Sequence, residues 1–205
     1  MATTIRPTTS ATAAPPIRRR LFHVGAGSSI PLMAIFVGAD VMVVVLASLT
    51  GLAVLVEAAR LRAPGLNGML VRWLRPLLKE TEVRRLTGAT YIAFSALVAF
   101  LVFDESVAIV ALFFLSIGDP VAAIVGSRVG GVRIWGKSPV GSVAFFVVAL
   151  ASAGALHGAG QVPWHGGGLA VGAAVAALVE LTPLFIDDNL TIPLAAGAAM
   201  MAMGV

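Results

Sequence analysis

The stretch that decides the fold is SPVGSVAFFVVALASAGALHGAGQVPWHGGGLAVGAAVAALV, which occupies residues 138–179 and contains no Asp, Glu, Lys or Arg. The whole chain of 205 residues is 59% hydrophobic and only 12% charged. Soluble domains are roughly 45–50% apolar and about 25% charged, and their cores do not need an uncharged run of this length. The sequence therefore predicts an all-α integral membrane protein, a polytopic bundle of transmembrane helices.

Working outward from this stretch, the apolar segments predict about seven spans, each near the roughly 20 residues that a bilayer requires. Residues 1–17 are a Thr-, Ala- and Pro-rich tail that is predicted to be disordered. Residues 18–205 are predicted to form a single transmembrane domain. Within it, leucines of the polar segment 60–87 recur at helical spacing between cations, which predicts a short amphipathic cytoplasmic helix on the membrane surface. The predicted spans are 21–38, 40–59, 88–103, 106–127, 141–157, 168–185 and 189–205.

The positions of the charges predict the topology. With the amino terminus inside, the segments 1–20, 60–87, 128–140 and 186–188 hold all fourteen Lys and Arg residues, as the positive-inside rule requires. The net charge of +4 therefore indicates membrane orientation rather than a nucleic-acid partner. Cysteine is absent, which excludes disulfides and thiolate metal sites. We expect a multi-pass protein with its amino terminus and polar loops in the cytoplasm and its carboxyl terminus outside.

The first candidate site residue is Asp119, a carboxylate inside the fourth predicted span. A charge at membrane depth costs about 2.5–3.5 kcal/mol on insertion scales, which makes it a functional candidate. The structural alternative is a helix start, because Asp is a common N-cap and Pro120 fits the first helical position. The two interpretations are compatible. Both expect the helix to break or kink at Pro120, and a broken helix lines a cavity in which Asp119 would hold a divalent cation or orient a phosphate.

A glycine-rich, basic loop follows this span and contains GVRIWGKS at residues 131–138. The segment matches the pattern of a phosphate-binding P-loop letter for letter. That motif requires a preceding strand in a parallel α/β sheet, which this chain lacks, so we do not interpret it as a P-loop. Its chemistry still suits an anion, because glycine amides such as that of Gly136 can turn towards a phosphate. Lys137 adds a positive charge and Ser138 a hydroxyl.

Further polar residues lie at the inner ends of other spans. Asp187, Asp188 and Asn189 open the last span, where one of them would suffice as a helix cap. Three in a row also offer oxygen ligands for Mg²⁺, which binds through few carboxylates plus substrate phosphates. Glu180 lies near the end of the sixth span. His23 lies at the start of the first, where it is either a base that accepts a proton from an alcohol or an interfacial histidine bonded to the backbone.

Five motifs of the chain form one pattern in their order and topology. They are Arg19-Arg20-Leu-Phe-His23, Glu57-x-x-Arg60, Gly118-Asp119-Pro120-Val-Ala-Ala-Ile-Val-Gly126, Gly136-Lys137-Ser138-x-x-Gly141-Ser142 and Asp187-Asp188-Asn189-Leu-Thr-Ile-Pro193. This pattern resembles the family of dolichol kinases, phytol kinases and CTP-dependent diacylglycerol kinases, which are polytopic membrane lipid kinases. The chain departs from the family at Val140, where an acidic residue is usual.

The resemblance implies that the terminal phosphate of a nucleoside triphosphate, often CTP, is transferred to a lipid hydroxyl. Together the residues and the resemblance predict a site composed of four groups. The predicted nucleotide ligands are Gly136, Lys137, Ser138, Gly141 and Ser142. The predicted Mg²⁺ ligands are Asp119, Asp187, Asp188 and Asn189. The predicted catalytic residues are Asp119, Asp188 and His23, with Asp188 or His23 accepting the hydroxyl proton. The secondary candidates are Glu57, Arg60 and Glu180.

The predicted function is that of a lipid alcohol kinase at the inner leaflet. Its partners would be CTP or ATP, the bilayer, and a polyprenol, phytol or diacylglycerol, and its oligomeric state stays open. Two alternatives stay open as well. A cytidylyltransferase would use a similar site but would form a CDP-lipid and release pyrophosphate. A non-catalytic lipid-binding or carrier protein would transfer no phosphate.

Overall fold

The computed structural model describes residues 17–129, 131–163 and 165–205, and within these ranges the chain forms helices and no strand. The predicted tail lies outside the described residues except for Ile17. The helices are α1 (Ile17–Val37), α2 (Ala39–Arg62), α3 (Pro64–Leu74), α4 (Gly88–Val102), α5 (Glu105–Phe113), α6 (Asp119–Val129), α7 (Pro139–Gly158), α8 (Gly166–Leu181) and α9 (Asp188–Ala202). The all-α prediction is confirmed.

Each of the seven predicted spans corresponds to a helical segment of the structure. Four segments of the described chain are long and apolar enough to cross a membrane, namely Arg19–Val37, Ala39–Arg62, Glu105–Val129 and Pro139–Gly158. Helices α4 and α8 are shorter and apolar, and α9 has 15 residues. Helix α8 ends four residues before its predicted limit, because Thr182 precedes a proline and adopts extended backbone. The prediction of a multi-pass membrane protein is confirmed.

The helix was predicted to break or kink at Pro120, and the structure shows no break there. Helices α5 and α6 are joined through a π-helical turn, Phe114–Gly118, into one segment of 25 residues. In a regular α-helix the Pro120 ring would clash with the carbonyl group of the residue four positions earlier. A π turn inserts an extra residue and widens the helix at this point, so the chain continues through the proline without breaking. Gly118 permits close packing of this turn, because a Cβ there would lie 2.7 Å from the Phe145 ring.

Glycines also bring α6 and α7 into close contact. A Cβ on Gly141 would lie 2.6 Å from the carbonyl oxygen of Ala122, and a Cβ on Gly126 would lie 2.8 Å from the Cβ of Ser138. Small residues allow helix backbones to approach closely in lipid, where packing drives association. Gly141, a predicted nucleotide ligand, therefore has a packing role.

The main hydrophobic core lies between α5, the π turn, α7, α8 and α9. It contains Phe114, Phe145, Leu169, Ile192 and Met200.

The segment 60–87 is helical over only part of its length. Helix α3 has no buried residue, and its Trp73 is 81% exposed, so its apolar side chains are available to a membrane surface. Residues 75–87, which we call the strap, follow as turns and one short 3₁₀-helix, Glu80–Val83. The predicted amphipathic helix is therefore confirmed for α3 alone.

Contacts between distant segments gather the polar residues at one end of the bundle. Helices α1, α4, α7 and α9 begin at this end, and α2, α6 and α8 finish there. An ion pair links Arg19 to Glu82 of the strap at 3.9 Å, and another links Lys137 to Asp188 at 2.8 Å. The segments that the predicted topology places on one membrane face thus lie together.

Candidate active site

A polar cavity of about 180 Å³ lies at this end of the bundle. Its walls come from α1, the strap, α6 and α9, which are far apart in the sequence. They carry three cations and one carboxylate. The lining residues are Arg19, Arg20, His23, Lys79, Asp119, Pro120, Ala123 and Asn189.

Three of these residues have polar atoms without a partner among the described residues. Among the described residues, the Asp119 carboxylate takes part in no hydrogen bond or ion pair, although its charge acts on Arg20 and His23. The Nε2 atom of His23 and the Nε atom of Arg20 are buried and have no hydrogen-bond partner in this part of the chain. Because buried polar atoms are nearly always hydrogen-bonded, unpaired polar atoms in residues that line a cavity point to a ligand.

An apolar cavity of about 340 Å³ adjoins the polar one. Arg19, His23 and Asn189 line both, so His23 lies where the two cavities meet. The other walls are formed mainly by apolar residues of α1, α4, the end of α3 and the strap. They include Phe22, Ala26, Ile30, Leu74, Leu77, Leu78, Ile92 and Ala93. An amphiphile with a polar head and an apolar tail fits this pair of cavities.

Lys137 belongs to a second polar cluster. Its Nζ lies 2.8 Å from Asp188 Oδ2 and also donates to the main-chain carbonyl of Glu180. The Glu180 side chain in turn accepts a hydrogen bond of 2.7 Å from Ser142 Oγ. The cluster ties the start of α7 to the end of α8 and the start of α9. The predicted convergence of Lys137 with the acidic residues of the last span is therefore present.

The other predicted nucleotide ligands also have partners within the protein. Ser138 caps α7, where its Oγ accepts a hydrogen bond from the Gly141 amide. Gly136 adopts φ +86° in the tight turn that pairs Ile134 with Lys137, a conformation that favours glycine. None of the five predicted nucleotide ligands is among the residues that line the polar cavity. Their role in nucleotide binding stays a prediction.

The four predicted Mg²⁺ ligands are brought together only in part. Asp119 and Asn189 line the polar cavity, whereas Asp188 pairs with Lys137. Asp187 accepts from the Asn189 amide at 3.0 Å and lies 3.9 Å from Lys79 Nζ. In the described ranges no three His, Asp or Glu side chains form a group that could hold a metal. Mg²⁺ needs only one or two carboxylates when phosphates supply other ligands, and Asp119 with Asn189 fits that smaller set.

The secondary candidates Glu57 and Arg60 fasten the strap. Arg60 Nε donates to Glu57 Oε2 at 2.7 Å, and its guanidinium donates to the carbonyl groups of Glu82, Val83 and Arg85. Glu57 Oε1 accepts from the Thr87 amide at 3.0 Å. Both side chains are buried, and neither lines the polar cavity.

We expect Arg60→Gln to destabilise the protein, because it leaves the Glu57 carboxylate buried without its cation. Breaking a buried ion pair in this way costs about 3–5 kcal/mol. The measurement is thermal unfolding in detergent, and the matched control is Arg62→Gln, two residues further along the same helix and exposed. Equal unfolding temperatures for the two variants would contradict this account of Arg60.

Arg19, Arg20 and Lys79 line one cavity, which the sequence alone did not predict. A signal was available for the arginines, since residues three and four positions before His23 share its helix face. Lys79 gives no local signal, because only the path of the strap brings it to the cavity. Its neighbours in sequence indicate a membrane-surface cation instead.

Comparisons with known proteins identify relatives of this chain. It is 27% identical over 172 residues to CTP-dependent diacylglycerol kinase 1 of Saccharomyces cerevisiae, covering 73% of this chain and 59% of the yeast protein. It is 32% identical over 162 residues to the protein of the same name from Eremothecium gossypii, covering 68% of this chain and 51% of that protein. It is also 25% identical over 136 residues to an uncharacterized protein of Rickettsia prowazekii, covering 65% of this chain and 66% of that protein. No family model matches the chain. No solved structure matches it.

The chain spans between half and three-fifths of the length of the two fungal kinases that it matches. The matched part covers about seven-tenths of this chain. The resemblance seen in the motifs is thereby confirmed: over that part, the chain is similar to two proteins named as CTP-dependent diacylglycerol kinases.

Proposed function

We propose that this protein is a kinase that transfers the terminal phosphate of CTP to the hydroxyl group of a membrane lipid alcohol. One observation carries the proposal: Asp119 and His23, whose side chains have unpartnered polar atoms, line a cationic cavity that adjoins an apolar one. The activity named for the two fungal relatives supports CTP as the phosphate donor and diacylglycerol as the first acceptor to test.

The polar cavity would bind the triphosphate. Phosphoryl transfer requires positioning and charge neutralisation more than covalent chemistry. Arg19 and Arg20 offer planar guanidinium groups that can bind phosphate oxygens in pairs, and Lys79 adds a point charge. Asp119 and Asn189 would hold Mg²⁺, which supplies further neutralisation of the phosphate oxygens when it is bound.

The apolar cavity would hold the part of the lipid next to its hydroxyl group. Its membrane-facing walls come from α1 and α4, with α3 and the strap above them, so the remaining tail would extend into the bilayer between α1 and α4. His23, where the two cavities meet, would then contact the hydroxyl group while the phosphate lies beside Asp119. The geometry would bring an apolar and a highly charged substrate together without exposing the lipid tail to water.

The chemical step follows from this placement. The hydroxyl oxygen attacks the terminal phosphorus, the bond from that phosphorus to the bridging oxygen breaks, and CDP leaves. The hydroxyl proton passes to Nε2 of His23, which has no hydrogen-bond partner among the described residues. Asp188 was the other predicted acceptor, but its carboxylate is paired with Lys137. The products are a lipid phosphate and CDP.

We place the site on the cytoplasmic side, with the amino terminus inside and the carboxyl terminus outside. The positive-inside rule supports this orientation, because all Lys and Arg residues fall in the segments assigned to that face. CTP is available there.

The test is an assay of the purified protein in lipid vesicles with CTP or ATP labelled in the terminal phosphate. Diacylglycerol, a polyprenol and phytol are offered as acceptors. We expect labelled lipid phosphate and an equal amount of CDP. A cytidylyltransferase would instead release pyrophosphate and form a CDP-lipid from phosphatidate, and a carrier would leave the label in the nucleotide.

A further inference from the structure

Glu82 is a buried carboxylate that the proposed reaction does not use. It lies in the short 3₁₀-helix of the strap and is 5% exposed. It lines the apolar cavity but not the polar one. Burying a carboxylate is unfavourable unless charges or hydrogen bonds compensate for the lost water, so its contacts indicate why it is there.

The Glu82 carboxylate holds three segments of the chain together. Its Oε2 accepts a hydrogen bond of 2.7 Å from the Lys79 amide, in the strap. Its Oε1 accepts one of 3.1 Å from the Gly88 amide, at the start of α4. The same Oε1 lies 3.9 Å from the guanidinium group of Arg19, in α1. Two of these contacts are to residues that supply cations to the polar cavity.

The third contact, with Gly88, concerns the wall of the polar cavity that Asn189 forms. Gly88 packs so closely that a Cβ there would lie 2.9 Å from Nδ2 of Asn189 and 3.2 Å from Oε1 of Glu82. Lys79, held by its amide, extends its side chain towards Asp187, which is two residues before Asn189 and accepts a hydrogen bond from its amide. Glu82 therefore contacts, directly or through Gly88, three residues of the polar cavity: Arg19, Lys79 and Asn189.

We propose that Glu82 is a positioning residue, which fixes Arg19 and Lys79 at the polar cavity so that they meet the phosphates of the nucleotide. This inference rests on the proposed function. The negative charge of Glu82 acts in the opposite direction, since it repels phosphate. That repulsion is reduced by Arg19 and by the two amides that Glu82 binds, whereas without Glu82 both long cations would have to be ordered by the nucleotide itself.

The test compares Glu82→Ala and Glu82→Gln with Glu80→Gln as the matched control. Glu80 lies in the same 3₁₀-helix, is exposed, and has no hydrogen bond or ion pair among the described residues. We expect Glu82→Ala to raise the KM for CTP about tenfold with kcat nearly unchanged, the size of one or two lost charged hydrogen bonds. Glu82→Gln, which retains one acceptor oxygen, should give a smaller increase.

A double-mutant cycle tests whether Glu82 acts through Arg19. In an Arg19→Gln background, adding Glu82→Ala should raise the KM much less than it does in the wild type. The inference is overturned if the two effects add fully, if the KM falls, or if only kcat or the yield of folded protein changes. If Glu82→Ala does not fold, Glu82→Gln is used in the same cycle. A wild-type protein that transfers no phosphate from CTP would refute the proposed function instead.

Discussion

Asp119→Asn is expected to lower kcat for phosphoryl transfer by at least about 10³-fold while the protein still inserts into the membrane. Asn has the same shape, but it lacks the charge that would hold a cation beside the transferred phosphate. Interactions of a bound cation with that charge are worth several kcal/mol, and each 1.36 kcal/mol is a factor of ten in rate. The measurement is initial rate with labelled CTP at saturating lipid.

The matched control for this variant is Asp104→Asn. Asp104 precedes the same long helical segment at its other end, is exposed, and caps nothing with its side chain. It should retain wild-type activity. If Asp119→Asn kept more than about a tenth of the wild-type kcat, Asp119 would not be the carboxylate on which the chemistry depends.

His23→Gln is expected to lower kcat by about 10²–10⁴-fold, the usual contribution of a general base. Glutamine can still donate and accept hydrogen bonds, but it cannot take the hydroxyl proton. The wild-type rate should fall as the pH is lowered, because a protonated imidazole is no longer a base. The variant should lose this dependence, which a merely structural histidine would leave in place.

His165→Gln provides the control for the histidine. His165 is exposed at the start of α8, on the other side of the bundle from the cavities. We expect its activity and pH profile to match those of the wild type. An unchanged pH profile in His23→Gln, even with a reduced rate, would assign the proton to another group.

The fold was predictable because its main determinants are local. Runs of apolar residues determine which segments form membrane-spanning helices. Prolines and glycines determine where several of these helices end, as α8 does at Thr182 before Pro183. The behaviour of Pro120 was not predictable in this way. Whether a proline breaks a helix or is accommodated by a π turn depends on packing against neighbours, here the contact between Gly118 and Phe145.

The site was predictable to the extent that topology alone brings residues together. Lys137 and Asp188 are 51 positions apart, yet both flank spans at the same face, and they form an ion pair. The directions of the side chains could not be predicted from the topology. It decides that Lys137 binds within the protein while Lys79, from a segment interpreted as a surface helix, lines the cavity beside Asp119.

The π turn before Asp119 also sets the direction of this carboxylate. A π turn accommodates one more residue than an α-helical turn, and an α-helix rotates by about 100° per residue. If residues 114–118 adopted regular α-helix with no change in length, Asp119 and everything beyond it would turn by roughly that angle relative to α5 and away from the polar cavity. Such a change leaves length, hydropathy and charge untouched, so the activity of this protein depends on local backbone geometry as well as on which side chains are present.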